Sequence, residues 1–323
     1  MTLHLDSDVI KELCDERIAY DAAQLALTGQ REGRFALPAR IDVNVPSGFF
    51  RAMPAALGDY MGAKIMTLAK GVGNRYLLLV YRQDTGELLA TLDASEVTRL
   101  RTAATTALAG ALLLPAGTSV LGLVGTGFEA EGHLRAFADT WPLQKVRVYS
   151  RSADKRAAFA TRLSRKLGLE IEAVDSVADV TNTSPVTVLC TKATEPVIEG
   201  STFAPGAVVL SIGSTRPDLR ELDDATFARA RAVLVDDPAS VLAESGDVRS
   251  AIAGGAIDAD ALIPMAQWTT ADAECASERD LLVFKSVGTA LQDLALAAIL
   301  IKSAVERGLG REIGEITELK AAK

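Results

Sequence analysis

The chain has 323 residues, 49% of them apolar and 24% charged, a composition ordinary for a soluble globular enzyme and long enough for two domains. Its net charge of −8 argues against nucleic-acid binding, which needs a basic footprint. Two histidines, His4 and His133, and three scattered cysteines, Cys14, Cys190 and Cys275, predict no Ser-His-Asp triad, no metal centre and no disulfide framework, and fit a reducing, cytoplasmic setting.

The N-terminus carries early acids and no apolar core segment, so no signal peptide is expected. Over residues 6–27 the apolar positions Val9, Ile10, Leu13, Ile18 and Leu25 recur at roughly helical spacing, with Ser7 or Asp8 as candidate cap. Extended segments follow. "RFALPARIDV" has prolines and alternation, "GAKIMTLAK" alternates, and "YLLLVYRQDTGELLATLD" reads as a hairpin turning at Asp84, Thr85 and Gly86. "DASEVTRLRTAATTALAGALLL" reads as a long helix capped by Asp93 or Ser95, which makes this first region α+β. No charge occurs between Arg101 and Glu129, a span long enough to cross a bilayer. Pro115, Gly117, Gly122, Gly125 and Gly127 interrupt it, so it reads as a buried helix running into a buried strand, with no membrane as partner.

Beyond residue 117 short apolar runs alternate with helical patterns. "SVLGLV", "KVRVYS", "LEIEAV", "VTVLC", "AVVLSI" and "AVLVDD" are the predicted strands, with helices such as 128–139 and 153–167 among them. That alternation specifies βαβ units and a parallel sheet, so the fold class is α/β with a Rossmann-type domain. "FKSVGTALQDLALAAILIKSAVERGLG" reads as one long helix, stopped by Gly308 and Gly310.

The stretch "SVLGLVGTGFEAEGH" sets Gly125, Gly127 and Ala130 as G-x-G-x-x-A between a strand and a helix. Gly125 permits the tight turn, Gly127 lets the backbone approach a pyrophosphate, and Ala130 allows close helix–strand packing. The helix start then offers free N–H groups to phosphate, and Thr126, Phe128 and Glu129 are candidate contacts within the turn. The next strand should end at the adenosine ribose, where an acid reads the 2′-hydroxyl and an arginine accommodates a 2′-phosphate. Here it ends in Ser150, Arg151 and Ser152, with Lys155 and Arg156 behind and no carboxylate, so NADP(H) is the expected cofactor, with NAD(H) possible.

Several stretches, taken in order, resemble the ornithine cyclodeaminase and mu-crystallin family. They are "LPAR" (37–40), "GAKIMTL" (62–68), "DTGELLATLDASEVTRLRTAA" (84–104), "GLVGTGFEA" (122–130), "TKATEPV" (191–197), "GSTRPDLRELDD" (213–224), "ESGDV" (244–248) and "VFKSVG" (283–288). The resemblance implies a homodimer, with residues 1–113 and 292–323 as substrate-binding and dimerisation domain and 114–291 as the dinucleotide-binding domain. It implies substrates that are 2-amino, 2-imino or 2-oxo acids. Arg40 matches the family's carboxylate-binding arginine, Lys64 its active-site lysine, and Arg101, next to Thr102, a third cation near carboxylate and nicotinamide. Arginine's planar fork suits a carboxylate, and a lysine can protonate the reacting nitrogen or oxygen. Around the nicotinamide the resemblance points to Thr191, Lys192, Ile212, Gly213, Ser214 and Ser286, and to Glu244 in the substrate pocket.

Cyclodeaminases carry an aspartate in the loop after the position of Gly213. Aligning Pro217 places Thr215 there, and a hydroxyl can bond an imine or a water but cannot pair with a substrate ammonium. The pattern resembles the mu-crystallin branch instead. The expected activity is therefore NAD(P)H-dependent reduction of a small 2-imino acid, such as the cyclic ketimine Δ1-pyrroline-2-carboxylate, with Thr215 at the reacting centre. The alternatives are ornithine cyclodeaminase, alanine dehydrogenase, or a ligand-binding protein with little catalysis. The remaining charges of "RPDLREL" are expected mainly to hold the loop.

Overall fold

The computed structural model describes residues 2–114, 118–269, 281–316 and 320; Pro115, Gly117 and Cys275 lie outside the described residues. The chain divides into two compact units, Met1–Thr102 with Thr289–Lys323, and Ala103–Gly288.

The first unit contains β1 (Thr2–Leu5), α1 (Ser7–Leu13), α2 (Glu16–Arg31), β2 (Phe35–Ala36), β3 (Ile41–Val45), β4 (Gly48–Leu57), β5 (Tyr60–Ala69), β6 (Gly73–Arg82), β7 (Leu88–Asp93) and the start of α3 (Ala94–Leu113). From the C-terminal end it adds α10 (Ala290–Arg307) and β16 (Arg311–Gly314). The single helix expected over 6–27 is two. Asp6 accepts from the N–H groups of Asp8 and Val9, and Asp15 accepts from Ile18, so a second capping carboxylate restarts the helix after an extended Cys14. The strands run β16-β1-β7-β6-β5-β4-β2, with β3 also paired to β4. Pairing is antiparallel except between β1 and β7. The apolar face of α10 packs on α2, β4 and β5.

In α3, Asp93 caps by accepting from the Ser95 N–H at 3.0 Å. The sequence puts the first domain boundary at 113/114, whereas compactness breaks the chain at 102/103. The physical reason lies in the later turns of α3. There Ala107 and Leu112 carbonyls accept from the Trp141 and Trp268 indoles at 3.3 and 3.1 Å, both within the second unit.

The second unit continues with β8 (Val120–Val124), α4 (Phe128–Thr140), β9 (Lys145–Tyr149), α5 (Ala153–Leu167), β10 (Glu170–Ala173), α6 (Val177–Thr181), β11 (Val186–Leu189) and β12 (Val208–Ser211). It closes with α7 (Asp224–Ala228), β13 (Ala230–Val235), α8 (Pro238–Glu244), α9 (Gly246–Ala253), β14 (Leu262–Pro264) and β15 (Leu281–Lys285). The order β10-β9-β8-β11-β12-β15-β13-β14 is parallel throughout. Counted from β8, the first five read 3-2-1-4-5, the doubly wound order, with its switch point between β8 and β11. One expectation fails: residues 284–289 do not begin the C-terminal helix. "LLVFK" is β15, fully buried between β12 and β13, and α10 starts only at Ala290. A continuous apolar run of this length is what a central parallel strand needs, and periodicity alone does not separate it from a buried helix turn. Among the described residues no helix is long and apolar enough to cross a membrane.

Candidate active site

In the second unit the glycine turn has the shape its spacing predicts. Gly125 sits at φ +124°, and a Cβ there would meet the Cys190 carbonyl at 2.7 Å, so only glycine fits without strain. Its N–H donates to the Tyr149 carbonyl at 2.8 Å, tying the turn to the end of β9. Gly127 is the N-cap of α4 and caps with no side chain, and a Cβ there would meet nothing within 4 Å. The bare glycine leaves space at the start of α4, where a helix N-terminus suits a pyrophosphate. Ala130 is fully buried, as close packing requires. Phe128 is 61% exposed beside the turn, and Glu129 is half-buried.

Thr126 donates to the Ser150 hydroxyl at 3.2 Å, joining turn and ribose-side loop. Ser152 caps α5 by accepting from the Lys155 N–H. Arg156 is engaged: it donates to the Ser150 carbonyl, pairs with Asp175 and lies over the Tyr149 ring. Arg151 and Lys155 are exposed, and the Arg151 guanidinium has no partner among the described residues.

At the C-terminal ends of β11, β12 and β15 lies a charged knot that sequence reading did not assign. Glu221, Asp247 and Lys285 are all fully buried. Glu221 accepts from the Thr191 N–H, from the Gly213 N–H at 2.7 Å and from the Ser211 hydroxyl at 2.8 Å. Asp247 accepts from the N–H groups of Glu221 and Leu222 at 2.7 and 3.0 Å. Lys285 donates to the Ser211 hydroxyl at 3.0 Å and stands 3.6 Å from Asp247. Burial pushes the Glu221 carboxyl up, with Lys285 opposing and Asp247 reinforcing the shift. A Cβ at Gly213 would strike the Thr191 carbonyl at 1.9 Å, so the loops can approach this closely only at glycine.

The knot decides where the loop residues point. The Ser214 hydroxyl donates to the Leu219 carbonyl at 2.7 Å and accepts from the Asp247 N–H, so it is spent inside the loop. Ser286 likewise donates to Asp236 at 2.7 Å and accepts from the Gly288 N–H. Ile212 is buried, Thr191 and Thr215 are half-buried, and Lys192 is exposed. Asp218 pairs with Arg216 at 2.9 and 3.0 Å on the surface. Glu244 is buried at the end of α8.

In the first unit a second buried cluster forms around Asp293 of α10. Lys64 is the one buried residue of β5. It lies two residues after Gly62, where a Cβ would strike the Leu79 carbonyl of β6 at 2.1 Å and approach Leu294 of α10 at 3.1 Å. Lys64 Nζ reaches Asp293 Oδ2 at 2.7 Å, and Arg101 Nε donates to Oδ1 at 3.1 Å. Gln292 accepts from Arg101 Nη1 at 2.6 Å. Thr102 donates its hydroxyl to the Thr98 carbonyl within α3. Burial lowers the Lys64 pKa to about 8; Asp293 opposes this, while the charges of Arg101 and Arg40 reinforce it. Burial alone would raise Asp293, but Arg101 and Lys64 hold its carboxyl below the usual range. Lys64 and Arg101 share one carboxylate, which leaves one positive charge in excess and makes the cluster receptive to an anion.

Sequence reasoning missed Asp293 and Gln292. The signal was present: Asp293 is the single charge in "TALQDLALAAIL", and a lone acid on a buried apolar helix needs a partner.

A doubly wound sheet with an open glycine turn in one unit, and a buried lysine–arginine–aspartate cluster in the other, define a dinucleotide-binding protein of the Rossmann class. Residues 2–308 match the Ornithine cyclodeaminase/mu-crystallin family, and the chain belongs to it. The chain is 32% identical over 264 residues to the ketimine reductase mu-crystallin of Mus musculus, covering 79% of this chain and 80% of that one. It is similar to the solved structure of Thermococcus litoralis Δ1-pyrroline-2-carboxylate reductase in complex with NADH and L-proline, with TM-score 0.88, 28% identity and coverage of 96% and 100% of the two chains. An archaeal alanine dehydrogenase dimer with bound NAD aligns at TM-score 0.87 and 25% identity, covering 97% and 99%.

Proposed function

We propose that the protein is an oxidoreductase of CH–NH groups, reducing a small 2-imino acid, of which the cyclic ketimine Δ1-pyrroline-2-carboxylate is the first candidate. The observation that carries this reading is the buried Lys64, whose pKa of about 8 keeps it protonated yet ready to give up its proton near neutral pH. A bound nicotinamide supplies a hydride to the imine carbon. As that carbon is reduced, the C=N π pair takes a proton at nitrogen from the Lys64 ammonium, which water then restores. Arg40 and Arg101 hold the substrate carboxylate, in line with the excess positive charge of the cluster. Thr215, where cyclodeaminases have an aspartate, offers a hydroxyl and no partner for a distal ammonium. The mouse and Thermococcus relatives support the same chemistry.

NADP(H) is the preferred cofactor in this reading, because Arg151 and Lys155 stand exposed at the ribose-side loop with no carboxylate among Ser150, Arg151 and Ser152. The working form is a homodimer in a reducing, cytoplasmic setting. On β3, Ile41, Val43 and Val45 are 61%, 54% and 49% exposed at alternate positions, with Phe50 of β4 at 42%, an apolar face that a second copy would cover. Light scattering should give a dimer mass, and Val43→Asp should shift it toward monomer.

The test of function is a panel of cyclic imines and 2-oxo acids, with NADPH or NADH and with or without ammonia or methylamine. Imine reduction without added amine is the expected result, lost in Lys64→Met. Activity only on oxo acids with ammonia would make it an alanine dehydrogenase. Ammonia release from ornithine would make it a cyclodeaminase, and nucleotide binding without turnover a binding protein.

A further inference from the structure

The buried knot of Glu221, Asp247 and Lys285 has an unbalanced charge. Two carboxylates face one ammonium, so the ionised knot carries −1, and all three side chains are fully buried. Burial raises the Glu221 pKa and its backbone donors oppose that rise: Oε1 receives the Thr191 N–H, and Oε2 receives the Gly213 N–H, with the Ser211 hydroxyl also on Oε2. Among the described residues Lys285 hydrogen-bonds only Ser211, through its hydroxyl and its carbonyl, and sits 3.6 Å from Asp247, so it offsets one of the two acids.

The position of this charge gives it meaning. In a doubly wound sheet the ligand lies outside the carboxyl ends of the strands, and the half of the sheet beyond the switch point takes the second mononucleotide. Here that half is β11, β12 and β15, and Glu221 binds the backbone at the first residues after β11 and β12. The open turn at Gly127 fixes the pyrophosphate end on the other side of the switch point. The nicotinamide end therefore falls on the loops that the knot supports. That ring is neutral when reduced and cationic once its hydride has left.

We propose that Glu221 and Asp247 are positioning residues that set the loops after β11 and β12 and give the nicotinamide seat a standing negative charge, so that the oxidised cofactor is favoured over the reduced one and hydride donation is assisted. This rests on the nicotinamide reading above. The charge is uncompensated among the described residues and lies in a dry interior, where its field is weakly screened. It needs no contact with the ring to act, because the same field acts on the developing cation of the transition state.

The test is equilibrium binding without substrate, titrating NADP+ and NADPH separately into the full-length protein. A unit charge across about 10 Å at an effective dielectric of about 20 is worth roughly tenfold in a binding constant. Glu221→Gln should therefore weaken NADP+ about tenfold more than NADPH. Asp247→Asn should do the same, and it serves if Glu221→Gln fails to fold. Ser211→Ala removes a hydroxyl from the knot without changing charge, and should move both affinities together. Equal shifts for both redox forms in both acid variants would overturn the proposal and leave the cofactor reading intact. So would a change of ratio in Ser211→Ala as large as in Glu221→Gln. A wild-type protein that binds neither nucleotide would instead remove the cofactor reading itself, and the proposal with it.

Discussion

Asp293→Asn tests the acid role of Lys64 most directly. The substitution keeps size and removes the charge that lies 2.7 Å from Lys64 Nζ, in a site where both side chains are buried. Burial and the neighbouring arginines pull the lysine down, and Asp293 is what holds its pKa as high as about 8. Losing one partner of a buried ion pair costs about 3–5 kcal/mol, and 1.36 kcal/mol is one pKa unit, so Lys64 should fall by about 2 units or more before neutralising. At pH 7 its protonated fraction would drop from about 90% to about 10%. The sign follows: a general acid loses activity as pH rises through its pKa. In the wild type the basic limb of kcat for imine reduction should lie near pH 8. In the variant it should move acid-ward by about 2 units, with activity partly restored below pH 6. The assay is the pH profile of kcat under saturating NADPH and Δ1-pyrroline-2-carboxylate. A uniform loss with the basic limb unmoved would refute the reasoning, because it would assign that limb to another group.

The two turn glycines should separate binding from folding. Gly127→Ala places a methyl in open space, so its thermal midpoint should match the wild type while nucleotide affinity falls about tenfold or more. Gly125→Ala, at φ +124° and against the Cys190 carbonyl, should lose about 1–3 kcal/mol of stability in a denaturant titration. Arg151→Ala should raise KM for NADPH several-fold and leave KM for NADH unchanged; equal effects on both would remove the 2′-phosphate role. Burial pushes the Cys14 thiol up to about 12, with Asp15 and Glu16 adding to the shift. At pH 8, with Cys190 and Cys275 replaced by serine, Cys14 should react with a disulfide reagent about a thousandfold more slowly than a free thiol, since only the thiolate attacks.

What could be read from the chain follows from how local each feature is. The glycine turn was legible because Gly125 and Gly127 answer to backbone geometry within a few residues. The central parallel strands β8, β11 and β12 were legible because each is a short, almost wholly buried run. The same logic failed at "LLVFK", where five buried residues fit strand and helix alike, and only pairing with β12 and β13 made them β15. It failed again at Cys14, because two capping aspartates close together divide one periodic stretch into two helices.

By itself the sequence determined the α/β class, the dinucleotide turn and the identity of the cations at Arg40, Lys64 and Arg101. Only tertiary structure decided what those cations mean. Asp293 lies 229 residues beyond Lys64 in the chain and meets it because α10 packs on β5. Likewise Glu221, Asp247 and Lys285 come from three separate motifs and become one buried group only where β11, β12 and β15 end together. Charge is encoded residue by residue, but its pKa and its partner depend on desolvation and distance, and these exist only once the chain has folded.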